Sequence, residues 1–257
     1  MLVLLPPSET KRDGGTSTPV DLSRLSFSSA TAARAALLAD VVALAADETA
    51  MMRALKLGPR QSAEVARNAA LLTSPVMPAI DRYTGVLYDA LDAGSLGDAS
   101  RAFAHESVAV HSALFGLVAA LDPIPAYRLS HDSRVPGERL RARWREVIAR
   151  QLEARDGLIV DLRSEGYVEL GPAPRRPGSV FVRVVAEDGT GRRRALNHFN
   201  KRAKGLFTRA FLEQRPQLHT VNELIGWAES AGFRLDARES HDEAGGAARP
   251  QELELVA

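Results

Sequence analysis

The spacing of apolar residues changes along the chain, and that change limits the fold to one that mixes helices with sheet. From Thr31 to about Leu72 the sequence is Ala-rich and reads as helix, broken at Gly58-Pro59. Residues 138–154 are amphipathic. Leu140, Trp144, Val147, Ile148 and Leu152 share one face, and Arg139, Arg143 and Arg150 share the other. The period then shortens. Leu158-Ile159-Val160 is a compact strand, and Val180, Val182 and Val184 alternate with Phe181, Arg183 and Val185. Glu187-Asp188-Gly189 supplies a turn, and residues 192–199 return as a partner strand.

The remaining segments fit between these. Residues 2–5 read as a short buried strand, and the Pro-, Gly-, Ser- and Thr-rich stretch from Pro6 to Thr18 as a loop. Residues 99–118 read as an apolar helix. Asp122-Pro123-Ile124-Pro125 continues no helix, because proline lacks the N–H donor and restricts its predecessor. Residues 200–212 form a helix, Thr220 with Glu223 opens another through a capping box, and Gly232 follows its end. The polar, Gly-rich stretch 240–250 is expected to be mobile. The order predicts an α+β fold: one large domain over 1–238 with a mixed sheet and surrounding helices. A polar tail follows over 239–257, with room for a short terminal strand.

Composition removes whole classes of chemistry. Cysteine is absent, which excludes disulfides, thiolate metal sites and cysteine nucleophiles. The six histidines are scattered: His105 and His111 are read onto different helix faces, and His241-Asp242-Glu243 as a solvated run. The expectation is no cofactor and no bound metal. No run approaches the length of a membrane helix, and the start, MLVLLPPSETK, lacks the features of a signal peptide, so the expected location is the cytoplasm. No Walker A loop, GxSxG elbow or GxGxxG fingerprint occurs; Gly189-Thr190-Gly191 reads as a hairpin turn.

The net charge of +1 conceals an asymmetry. Ten Lys or Arg residues face two acids between Arg175 and Arg209, whereas nine acids face four basic residues from Glu213 onward. The densest run, His198-Phe199-Asn200-Lys201-Arg202-Ala203-Lys204-Gly205, ends a strand and opens a helix. Free N–H groups at a helix start attract phosphate. Lys201, Arg202, Lys204, Gly205 and Arg209 are therefore candidates for phosphate or DNA contacts, against the plain alternative of a solvated face. Leu55 to Ala63, with Gly58 and Arg60 at its bend, resembles a helix-hairpin-helix unit, although Gly-Pro also makes an ordinary turn between helices. Smaller polar sets sit in loops: Lys11 with Ser8 and Thr10, Tyr83 with Thr84, Asp122 with Tyr127 and Arg128, and Glu165 with Tyr167. If these converge, Tyr83, Asp122, Arg128 and Glu165 are candidate catalytic residues.

Several of these segments together resemble the YaaA-like family of peroxide stress proteins. The opening LLPPSETK is similar to that family's first strand and loop. Asp81 to Gly85 resembles its D-x-Y-T-G, and Ser112 to Gly116, Leu121-Asp122 and Tyr127-Arg128-Leu129 resemble S-G-L-Y-G, L-D and Y-R-L. Lys201 to Gly205 is similar to its basic glycine-ended run. The resemblance implies a single α+β domain, protection against hydrogen peroxide, and DNA binding through a helix-hairpin-helix element and a positive cleft. Two functions stay open. One is a protein that grips the DNA backbone through Lys11, Gly58, Arg60, Arg128 and the basic run. The other is an enzyme or a binder of small phosphates that uses the same cleft.

Overall fold

The computed structural model describes residues 1–190, 192–195, 199–238 and 251–257. Among these residues a mixed sheet forms the centre. Its strands are β1 (Leu2–Leu5), β3 (Val108–Ser112), β4 (Gly116–Ala119), β6 (Ile159–Asp161), β7 (Ser179–Glu187), β8 (Arg193–Ala195), β9 (Arg234–Ala237) and β10 (Gln251–Val256). The order is β4-β3-β1-β6-β7-β10-β9. The strands β3, β1, β6, β7 and β10 are parallel, while β4 and β9 close the two ends antiparallel. β8 pairs antiparallel with the end of β7. A two-stranded ribbon lies apart, formed by β2 (Val76–Pro78) and β5 (Pro123–Pro125).

The helices are α1 (Thr31–Leu44), α2 (Glu48–Ala54), α3 (Ala63–Ala69), α4 (Ala79–Arg82), α5 (Val86–Leu91), α6 (Asp98–Ser107), α7 (Leu140–Glu153), α8 (Glu165–Leu170), α9 (Phe199–Gln214) and α10 (Val221–Ser230). Among the described residues none is long and apolar enough to cross a membrane. The amphipathic reading of 138–154 matches α7, whose Trp144 is fully buried and donates from Nε1 to Ala113 O at 2.9 Å. Gly116 explains how that ring fits. Its φ of 66° is left-handed, and a Cβ there would lie 2.9 Å from Trp144.

The helix expected over 99–118 is corrected. Only 98–107 is helical, and β3 and β4 follow at once. Both strands are buried along their whole length, so they lack the polar alternation that identifies a half-exposed strand. His105 and His111 consequently belong to different elements. Short strands β2, β5 and β9 and short helices α4, α5 and α8 also escaped the sequence pattern. The tail stretch 240–250, the run His241-Asp242-Glu243, Gly191 and His198 lie outside the described residues.

The parallel strands place a site before any side chain is considered. From β1 the chain crosses to β3 on one side, while β6 takes the other side of β1 and leads on to β7. Strand connections thus diverge at the carboxyl ends of β1 and β6, the position where open α/β sheets form a crevice.

Candidate functional site

The loop after β1 crosses this crevice. Arg82, fully buried, fixes it from beneath: Nε donates to Ile124 O, Nη1 to Arg12 O, and Nη2 to Gly14 O and Pro75 O. Four backbone carbonyls around one guanidinium staple the loop to the β2–β5 ribbon. Arg82 has no carboxylate partner among the described residues, and burial pushes its pKa down to about 10. A cavity of about 270 Å³ opens beside the loop, lined by Asp13, Gly14, Arg67, Ser74 and Arg82 among others.

Lys11 is carried inward by a bridge to Tyr83. Its Nζ lies 4.0 Å from the centre of the Tyr127 ring and 5.3 Å from that of Tyr83. It donates to Ser8 O at 3.0 Å and Glu9 O at 3.3 Å. Burial pushes its pKa down to about 7, the Arg128 guanidinium adds to the shift, and Glu64 and Glu9 oppose it. The ring faces also favour the ammonium, because an aromatic quadrupole attracts a cation. The amine is held between these influences, near the point where it changes protonation at neutral pH.

All four tyrosines of the chain surround this place, and all are buried: Tyr83, Tyr88, Tyr127 and Tyr167. The hydroxyls of Ser112, Tyr127 and Tyr83 form a chain. Ser112 Oγ accepts from the N–H groups of Leu114 at 3.2 Å and Phe115 at 2.9 Å, so its own proton goes to Tyr127 Oη, 2.8 Å away. Tyr127 Oη lies 2.8 Å from Tyr83 Oη, and either hydroxyl can donate in that bond. Burial keeps these phenols protonated: Tyr127 is pushed up to about 12, and Tyr83 lies well above its ordinary value through burial and the neighbouring Tyr127. Tyr88 Oη donates to Pro6 O at 2.8 Å, which ties α5 to the end of β1.

Behind this cluster, Asp161 at the end of β6 is gripped by Arg163, with Nε 2.8 Å from Oδ1 and Nη2 2.6 Å from Oδ2. Arg163 Nη1 lies 2.8 Å from His111 Nδ1. Arginine only donates, so Nδ1 accepts and His111 carries its proton on Nε2. Burial, with the Arg163 charge second, holds His111 well below its ordinary pKa. Its ring meets Tyr167 edge-on at 5.3 Å.

The residues marked in the sequence separate into distinct groups. Lys11, Tyr83 and Arg128 come together. Arg128 is an outer member, with Nη2 2.8 Å from Glu9 Oε2 and its main chain held on both sides by Asn68. Asp122 is a structural knot. Its carboxylate accepts from Ser26 N, Ser26 Oγ and Ala119 N at 2.8 to 2.9 Å. Glu165 is exposed on α8 and pairs with Arg183 at 3.2 Å. Gly58 and Arg60 lie in the connection between α2 and α3, with the Gly58 N–H donating to Gln61 Oε1 at 3.0 Å.

The basic run on α9 divides in the same way. Lys201 and Arg202 are exposed, whereas Lys204 is 5% exposed and Gly205 is buried. A Cβ on Gly205 would meet Leu87 O at 2.2 Å, so this glycine permits close packing of α9 on α5. Arg209 Nη1 donates to the Leu91 and Asp92 carbonyls at the end of α5, and Nη2 pairs with Glu213. Ser112, Tyr88 and His111 were not singled out as site residues. Ser112 sits in the S-A-L-F-G turn, but a serine in a turn ordinarily satisfies only its own backbone.

A family model described as peroxide stress protein YaaA matches residues 1–239. A UPF0246 protein of Corynebacterium glutamicum (strain R) is 43% identical over 250 residues, covering 95% of this chain and 98% of its own. A UPF0246 protein of Streptomyces coelicolor is 40% identical over 243 residues, covering 92% of both. The chain belongs to the YaaA family of peroxide stress proteins.

Proposed function

We propose that the chain takes part in protection against peroxide by acting on a small molecule at the Lys11 crevice. The observation that carries this reading is the meeting of Lys11 Nζ with the Tyr127 and Tyr83 rings, at the free end of the Ser112–Tyr127–Tyr83 hydroxyl chain. An amine close to its titration point can abstract a proton or add to a carbonyl, and a phenol held protonated can return one. Arg128 stands at the rim to receive an anionic group once Glu9 yields. Survival under hydrogen peroxide tests the reading in a bacterium lacking its own relative, complemented with wild type, Lys11→Met or Tyr83→Phe. Wild type restores survival, and each variant accumulates normally but restores little. Full rescue by folded Lys11→Met would refute the proposal.

A second reading, contact with the DNA backbone, is favoured by a separate observation. Lys201 and Arg202 are exposed at the start of α9, and Arg60 is exposed at the α2–α3 bend. None of the three has an ion-pair partner among the described residues. Binding through them is expected to be indifferent to sequence and sensitive to salt. Each neutralised phosphate contributes about −0.9 to the slope of log affinity against log salt. Changing Lys201 and Arg202 together to Ala flattens that slope by up to about two units on this reading. An unchanged slope in anisotropy titrations removes these residues from any DNA surface.

A further inference from the structure

Lys204 is not explained by the arrangement around Lys11. It lies on a 16-residue helix whose neighbouring cations Lys201 and Arg202 reach solvent, yet it is 5% exposed. Gly205 locks this orientation by seating α9 on the Leu87 backbone. Helix α9 is seated on α5 at Leu87, and the ring of the next residue, Tyr88, lies 5.2 Å from that of Tyr83, which joins Tyr127 and Ser112. The helix that carries Lys204 is therefore connected to the Ser112–Tyr127–Tyr83 chain through α5.

A buried ammonium requires an anion or a loss of charge. Among the described residues no carboxylate comes within ion-pairing distance of Lys204 Nζ, and no hydrogen bond engages it. Asp161 is the carboxylate whose charge acts on it, but Arg163 holds both Asp161 oxygens. The other neighbouring charge, Arg183, repels it and is itself paired with Glu165 and Glu252. The protein thus surrounds a nearly buried cation with carboxylates that are already committed elsewhere.

We propose that Lys204 anchors a small-anion subsite at the carboxyl ends of β1 and β6, taking one oxygen of a carboxylate or phosphate on a small molecule. At 5% exposure the residue offers little surface to a duplex, which favours a small ligand. This proposal rests on the Lys11 reading only for the far end of that molecule, which would extend toward Lys11 and the Tyr83 hydroxyl. Burial pushes the Lys204 pKa down to about 8, and a bound anion would favour the charged form.

The test uses the full chain with two probes, inorganic phosphate and succinate, read by thermal unfolding. At least one of them raises the melting temperature of wild type and of Lys204→Arg but not of Lys204→Met; which one distinguishes a phosphate from a carboxylate source. If Lys204→Met does not fold, ¹⁵N-lysine NMR of wild type provides the second reading, in which the titration midpoint of Lys204 rises by a unit or more when the active anion is added. Equal shifts in wild type and Lys204→Met, no shift with either anion, or a midpoint that does not move, overturns the subsite. Loss of the shift in Lys11→Met alone also overturns it, because the anion then belongs to Lys11. A shift that depends on Lys204 while Lys11→Met still protects cells upholds the subsite and refutes the Lys11 reading.

Discussion

At the scale of single residues, one hydroxyl and one amine carry the sharpest expectations. Tyr127 joins Ser112 to Tyr83, and all three side chains are buried. Tyr127→Phe leaves the Ser112 and Tyr83 hydroxyls without their shared partner. A loss of about 1 to 3 kcal/mol is expected in urea unfolding, since an orphaned buried polar group loses its solvation without replacement. Lys11 gives a pH dependence whose sign is fixed by its shift. Its folded pKa of about 7 is below the ordinary 10.5, so between these values the unfolded chain holds more protons and stability rises with pH. Lys204 adds to the same slope from about pH 8 upward. Above about pH 10 the buried tyrosines reverse it, because they stay protonated only when folded. Unfolding free energy measured from pH 7 to 10 therefore climbs in wild type and climbs less in Lys11→Met. An identical slope in the two proteins would show that Lys11 is charged throughout.

At the scale of elements, the contact between α5 and α9 depends on Gly205. Gly205→Ala places a methyl 2.2 Å from Leu87 O and must separate the helices, with an expected loss of about 1 to 3 kcal/mol, although alanine is the better helix former. A stabilised Gly205→Ala protein would mean that the helices are not seated this closely. The same helix shows where sequence reading succeeds and where it stops. Phe207 and Phe211 marked its buried stripe, and α7 was legible from Leu140, Trp144 and Ile148, because both helices present one apolar face to the core. Lys204 was legible as a cation near a glycine but not as an inward one, since periodicity assigns polar residues to solvent. β3 was illegible for the opposite reason: Val108, Ala109 and Val110 follow α6 without a turn residue, and a strand covered on both faces shows no alternation. The convergence of Ser112, Tyr83, Tyr127 and Lys11 spans most of the first half of the chain and is created by sheet order, which no local spacing encodes.

At the scale of the whole molecule, β10 is an interior member of the sheet. It pairs with β7 along six residues and with β9 along four. Arg193 reinforces this region from β8 by pairing with Glu187 of β7, Asp236 of β9 and Glu254 of β10. Deleting residues 251–257 is expected to leave β9 without a strand partner and Leu235 without Leu255 beside it. The truncated chain should melt well below the full one and expose apolar surface to a hydrophobic dye. Retention of the full melting temperature would show that β10 contributes nothing to the sheet.

The position of β10 also sets a schedule for biosynthesis. A ribosome delivers β10 more than two hundred residues after β1, yet among the described residues β9 joins the sheet only through β10. Until residue 256 has emerged, the nascent chain presents the open edge of β7 as a template for any passing strand. Assembly of the half around β3, β1 and β6 can precede delivery of β10, whereas closure of the β7–β9 side cannot. A chaperone acting on this chain would therefore be needed between the emergence of β7 and that of β10, at the edge that β10 eventually fills.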